Sequence, residues 1–164
     1  MKDEKQHIAI ALIGEAEVGK TSIIHLIDDK IEDRGTTFLK DTDDVVYTFW
    51  ELQTSSYEPE GLVVFSKSFL NESTPYYRYL LIVSDSTDEN VTQISYSLRY
   101  LMELFPKTRF AIIANKQDLP SRESRLRIEK MTHLPTLELI AIEENQRNKL
   151  VNFISYLLES ESGL

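Results

Sequence analysis

The sequence predicts an α/β domain, a mostly parallel sheet with helices on both faces. Three observations carry this. Three continuous apolar runs of strand length, residues 8–13 (IAIALI), 79–84 (YLLIVS) and 110–114 (FAIIA), have the pattern of strands covered on both sides. Segments with helical spacing of apolar residues alternate with them. The first run also leads into a glycine-containing loop and then directly into a helical pattern.

In chain order, the run at residues 8–13 ends in GEAEVGKT, and residues 21–27 then carry Ile23, Ile24 and Ile27 on one helical face. Residues 28–35 are charged and turn-like. Residues 36–40 and 45–52 read as two strands around the polar turn 41–44, a hairpin. The run at 79–84 exits into DSTDEN, where Ser86 and Glu89 fit a helix-opening capping box. Val91, Ile94, Leu98, Met102 and Phe105 follow on an amphipathic helix. The run at 110–114 delivers NKQD. A short basic helix is expected over 121–131, a last strand over 137–142 and a closing helix over 148–159.

The chain has 164 residues, enough for one core and a single domain spanning 1–164. Its net charge of −9 argues against a nucleic-acid footprint and serves solubility. With no cysteine, disulfides, thiolate metal sites and cysteine-borne lipid anchors are excluded. The opening Met1-Lys2-Asp3-Glu4-Lys5 reads as neither a signal peptide nor a myristoylation site. No apolar run reaches membrane-spanning length. A cytoplasmic protein without a direct lipid anchor or transmembrane segment is therefore expected.

GEAEVGKT fits the G-x-x-x-x-G-K-[ST] phosphate loop. Gly14 and Gly19 let the backbone turn tightly, and the amides of Glu15, Ala16, Glu17 and Val18 lie along that turn. The helix starting near Lys20 directs its positive end at the same place. Lys20 supplies a point charge for the β- and γ-phosphates. Thr21 supplies a hydroxyl ligand for Mg²⁺, and Ser22 completes the loop. The strand before and the helix after are the context the motif requires.

NKQD, residues 115–118, adds the base. The Asp118 carboxylate is suited to accept from N1–H and N2–H of guanine, a donor pair adenine lacks. A site of this kind discriminates by about 10⁴ or more, because the wrong base leaves buried polar groups unpaired. Asn115 is expected to tie this loop to the phosphate loop, and the Lys116 stem to lie along the base. Together the two motifs specify GTP or GDP with Mg²⁺.

On GEAEVGKT (14–21), DSTDEN (85–90) and NKQDLP (115–120), the chain resembles the Ras-like small GTPases, and within them the Arf branch. The resemblance covers nearly the whole chain in element order. It implies the P-loop NTPase three-layer sandwich, with six strands and about five helices. It also implies two switch segments whose conformation follows the bound nucleotide, and effector and regulator proteins meeting residues 30–75. By position, Thr36 or Thr37 is the first-switch threonine that reaches Mg²⁺ and the γ-phosphate, with Thr36 preferred.

The chain departs from this pattern in two places. Where the family carries Asp-x-x-Gly and then glutamine, aligned on Trp50, it reads Glu51-Leu52-Gln53-Thr54-Ser55. Glu51 replaces the aspartate of the Mg²⁺ shell, where it would act through water. Thr54 replaces the glycine whose amide senses the γ-phosphate, and Ser55 stands in place of the glutamine. The catalytic residue is thus unassigned, with Gln53 and Glu51 as the candidates at hand. The stretch up to Tyr76 is longer than the Arf pattern and includes an apolar patch at 62–65. The last base-contact motif is also altered, and Ala141 within IAIEE is the nearest match.

His7, His25 and His133 lack metal-ligand spacing. Arg122, Arg125, Arg127 and Lys130 read as a solvated helix face. Trp50, Phe65 and Phe69 read as core beside the switches, and Tyr76, Tyr77 and Tyr79 as packing at a strand entry, with a partner surface as the alternative for Tyr76 and Tyr77. Two functions follow from this reading: a GTP/GDP switch with slow hydrolysis, or a pseudo-GTPase interaction module. An adenine-nucleotide enzyme is disfavoured by NKQD.

Overall fold

A computed structural model describes residues 4–35, 37–54, 59–73 and 77–160. These residues form a seven-stranded, mostly parallel sheet and five helices. The order along the chain is β1 (Gln6–Gly14), α1 (Lys20–Ile27), β2 (Glu32–Asp33), β3 (Thr37–Asp41), β4 (Val45–Gln53), α2 (Pro59–Glu72), β5 (Tyr77–Ser84), α3 (Asp88–Leu104), β6 (Arg109–Ala114), α4 (Arg125–Thr132), β7 (Thr136–Glu138) and α5 (Arg147–Glu159). Across the sheet the order is β2-β3-β4-β1-β5-β6-β7.

The apolar runs are explained by position. β1 is central and pairs in parallel with both β4 and β5, while β5 pairs in parallel with β6. Ile8, Ile10 and Leu12 of β1 point to the face where α1 and α5 bring Ile23, Ile24, Leu150 and Ile154. Ala9, Ala11 and Ile13 point to the opposite face, against Leu62 and Phe69 of α2, Val91 and Ile94 of α3, and Ile128 of α4. Two cores on one sheet make three layers. Small Ala9 and Ala11 on the second face leave room for Trp50, Phe69 and Phe105.

Several expectations are corrected. The sheet has seven strands rather than six, because Glu32 and Asp33 pair antiparallel with Leu39 and Phe38. The hairpin is present, β3 against β4, with Thr42 closing its turn through Val45. The cap of α3 is Thr87, whose hydroxyl accepts from the Asn90 amide; Ser86 is buried and faces the other way, so the Ser86–Glu89 capping box is not formed. The helix expected over 121–131 begins later, at Arg125, because Ser124 is its cap and the Glu123 amide is held by Ser86 O. The strand expected over 137–142 stops at Glu138. Beyond it, Leu139 N bonds Ala114 O and its carbonyl accepts from Gln117 N, so the chain turns into the site loops.

The longer stretch after β4 contains α2, a 14-residue helix with no counterpart in the expected elements. Phe65 and Phe69 stack at 6.1 Å, and Trp50 meets both edge-on at 6.4 and 5.8 Å. Phe105, the C-cap of α3, adds a fourth ring 6.1 Å from Phe69. Trp50, Phe65 and Phe69 are thus core residues, as expected. Thr36, Ser55 and Tyr76 lie outside the described residues. No helix among the described residues is long and apolar enough to cross a membrane.

Candidate functional site

The strand order reverses at β1, which sends its neighbours to either side and opens a crevice beyond the carboxyl ends of the strands. Ligands of open α/β sheets bind at such a reversal. The loops after β1, β4, β5 and β6 meet there.

The loop after β1 holds the two glycines for distinct steric reasons. A Cβ at Gly14 would lie 2.6 Å from the carbonyl oxygen of Val83 in β5. At Gly19 it would lie 2.3 Å from Nδ2 of Asn115, and φ of +102° is left-handed. Between them Glu17 also has a left-handed φ of 61°. Lys20 is buried, and its Nζ donates to Gly14 O at 3.0 Å and Glu15 O at 2.7 Å, lying over its own loop. Burial lowers the Lys20 pKa below the ordinary lysine value, and the nearby Glu51 carboxylate opposes that shift. Ala16, Glu17, Thr21 and Ser22 are exposed along the loop and the first turn of α1, while Val18 is core.

Glu51 reaches the same loop. Its Oε1 accepts from the Thr21 hydroxyl at 2.7 Å, joining two of the three residues expected around Mg²⁺. Gln53 is exposed at the end of β4, in register with Gly14. Thr54 is buried; its amide donates to Gly14 O at 2.9 Å and its hydroxyl has no hydrogen-bond partner among the described residues. The Thr54 amide is therefore directed at Gly14, the last residue of β1.

Asn115 is the hub of the site. Its Nδ2 donates to Val18 O at 2.8 Å, its Oδ1 accepts from Ala141 N at 2.9 Å, and its amide donates to Ser84 O. One buried side chain thus joins the loops after β1, β6 and β7. The expected tie from Asn115 to the GEAEVGKT loop is present. Ala141 enters as part of the cleft wall, its amide already engaged by Asn115.

A cleft of ≈ 280 Å³ runs along these loops, lined by Glu17, Gly19, Ser22, Asn115, Lys116, Asp118, Leu119, Ile140, Ala141 and Ile142. Both sequence motifs therefore face one cavity. Asp118 is exposed and Lys116 adopts a left-handed φ of 59° at its rim. Ile142, 82% exposed, adds an apolar surface to the cleft wall and was not singled out by sequence. Its signal was slight, one aliphatic residue in an altered motif.

Ser86 was also missed in its actual role. It is fully buried with φ of 67°; its hydroxyl donates to Asn115 O and accepts from Gln117 Nε2 at 2.8 Å. It braces the NKQD loop from beneath. The basic residues of α4 are largely ion-paired, Arg127 with Glu123 and Asp88, and Arg125 with Glu129. Among the described residues no cluster of three or more histidine or acidic side chains could hold a metal. No protein-family model matches the sequence, and no curated protein matches it.

Proposed function

We propose that this chain is a guanine-nucleotide-binding protein of the Ras-like, P-loop NTPase class, nearest the Arf branch, and that it acts as a GTP/GDP switch with slow hydrolysis. The observation that carries the reading is the double tie of Asn115. It brings a loop rich in main-chain amides and a loop bearing Asp118 onto one cleft. An anion held by the first and a base read by the second describe one nucleotide. Lys20 would leave its own carbonyls for the phosphates. Thr21, with Glu51 behind it through water and Thr36 from the first switch, would hold Mg²⁺. Cytoplasmic signalling through effector and regulator proteins that contact residues 30–75 completes the proposal.

Slow hydrolysis follows from the segment after β4. Gln53 is out of register with the residue that orients attacking water, and intrinsic rates in this class fall to about 10⁻⁴ s⁻¹ even with that residue present. Titration calorimetry in Mg²⁺ buffer tests the binding: heat with GDP and GTP is expected and none with ATP. Equal heat with ATP overturns the guanine reading.

A second reading, the pseudo-GTPase module, is favoured by a specific observation. The Thr54 amide bonds Gly14 O, and Phe65 and Phe69 hold α2 against Trp50 and Phe105. Amide exchange over residues 30–75 separates the two. Protection that differs between GDP and GTP forms supports the switch; identical protection supports the module.

A further inference from the structure

The phosphate loop uses the main chain of its residues, which leaves the Glu17 side chain without a role. We propose that Glu17 selects ribonucleotides, its carboxylate accepting hydrogen bonds from the vicinal hydroxyls of the sugar. This rests on the guanine-nucleotide reading of the cleft.

Position is the first argument. Glu17 lines the same cavity as Gly19 and Ser22 at its phosphate end and Lys116 and Asp118 at its base end. The sugar is the part of a nucleotide that joins those two ends. The side chain is exposed, and no hydrogen bond or ion pair engages its carboxylate among the described residues. Both oxygens are open to a ligand.

Chemistry by elimination is the second. A carboxylate only accepts hydrogen bonds. Phosphate oxygens are acceptors as well, so they repel it. The guanine donors at N1 and N2 are assigned to Asp118. The donors that remain on the nucleotide are the 2′- and 3′-hydroxyls. An acidic residue plays this part for the ribose of dinucleotides in another α/β architecture.

Backbone conformation is the third. Glu17 has φ of 61°, a left-handed geometry sparsely occupied by residues with a side chain and free to glycine. Such outliers gather at ligand sites, where the surroundings hold them in place. Here that geometry falls at a residue lining the cleft that Gly19 and Asn115 shape.

The test compares GDP, 2′-deoxy-GDP and 2′,3′-dideoxy-GDP by calorimetry on the full chain and on Glu17→Ala. The wild type is expected to prefer GDP over the dideoxy form by about tenfold or more, the loss of a hydrogen bond to a charged group. Glu17→Ala is expected to bind all three alike, near the wild-type value for the dideoxy form, with an unaltered thermal unfolding profile. Equal discrimination in the variant overturns the proposal. So does tighter GDP binding by the variant with no change in sugar preference, which would make the carboxylate a simple repellent of phosphate. Absence of heat with every guanine nucleotide is a separate signature: it overturns the cleft assignment and this inference with it.

Discussion

The Thr21 hydroxyl donates to Oε1 of Glu51 at 2.7 Å, linking the first turn of α1 to the end of β4. A hydroxyl oriented this way keeps a lone pair for a cation while the carboxylate holds its proton. Outer-shell partners of this kind are worth about 10–100-fold in metal affinity. Glu51→Ala is therefore expected to weaken Mg²⁺-dependent GDP binding by about tenfold or more, with little change in the affinity measured in chelator. Equal loss with and without Mg²⁺ would make Glu51 a structural group only.

Lys20→Ala should abolish measurable phosphate affinity, because Nζ is the cation lying over the loop. The buried ammonium also sets a pH dependence. Burial lowers its pKa in the free protein, and contact with phosphate favours the charged form. Binding therefore takes up a proton wherever the free ammonium has begun to lose one. Affinity for GDP is expected to be level below the lowered Lys20 pKa and to fall as pH rises through it. Lys20→Arg, which stays charged, should flatten that alkaline limb in calorimetric titrations at stepped pH.

Asp118→Asn exchanges an acceptor pair for a donor and an acceptor. Xanthine presents the matching edge, so preference should move from guanine to xanthine nucleotides. Competition of GDP against its xanthine analogue measures this. An unchanged preference would remove Asp118 from the base site.

Asn115→Ala strands Val18 O and Ala141 N, two main-chain groups in a buried setting. Each such group costs about 1–3 kcal/mol when unpaired. The expected result is a fall in thermal midpoint of several degrees even without nucleotide. Gly19→Ala should be at least as damaging, since its Cβ meets Asn115 Nδ2 and its φ is left-handed. A smaller cost of Gly19→Ala in an Asn115→Ala background than in the wild type would identify the clash as part of the cause.

Much of this architecture was readable from the chain alone. β1, β5 and β6 are unbroken apolar runs because each is buried on both faces, and the helices α1, α3 and α5 carry their inward residues at helical spacing. GEAEVGKT and NKQD were legible as contiguous motifs, and residues of both line one cleft. What escaped was non-local. β2 is two acidic residues whose strand character comes wholly from pairing with β3. α2 mixes Val64 on its exposed side with Leu62 and Phe69 on its buried side, so its apolar patch gave no clear period. Ser86 looked like a helix cap by sequence spacing, but Thr87 is the cap and Ser86 lies beneath Asn115, 29 positions along the chain. Side-chain to main-chain bonds of that separation leave no periodic trace.

Trp50 is the one tryptophan in the chain, and it is buried edge-on against Phe65 and Phe69 of α2, one residue before Glu51. The molecule consequently contains its own optical reporter at the junction between the cleft loops and that helix. Undocking of α2 would hydrate the indole and shift its emission to longer wavelength, a signal readable in unlabelled protein on the millisecond scale.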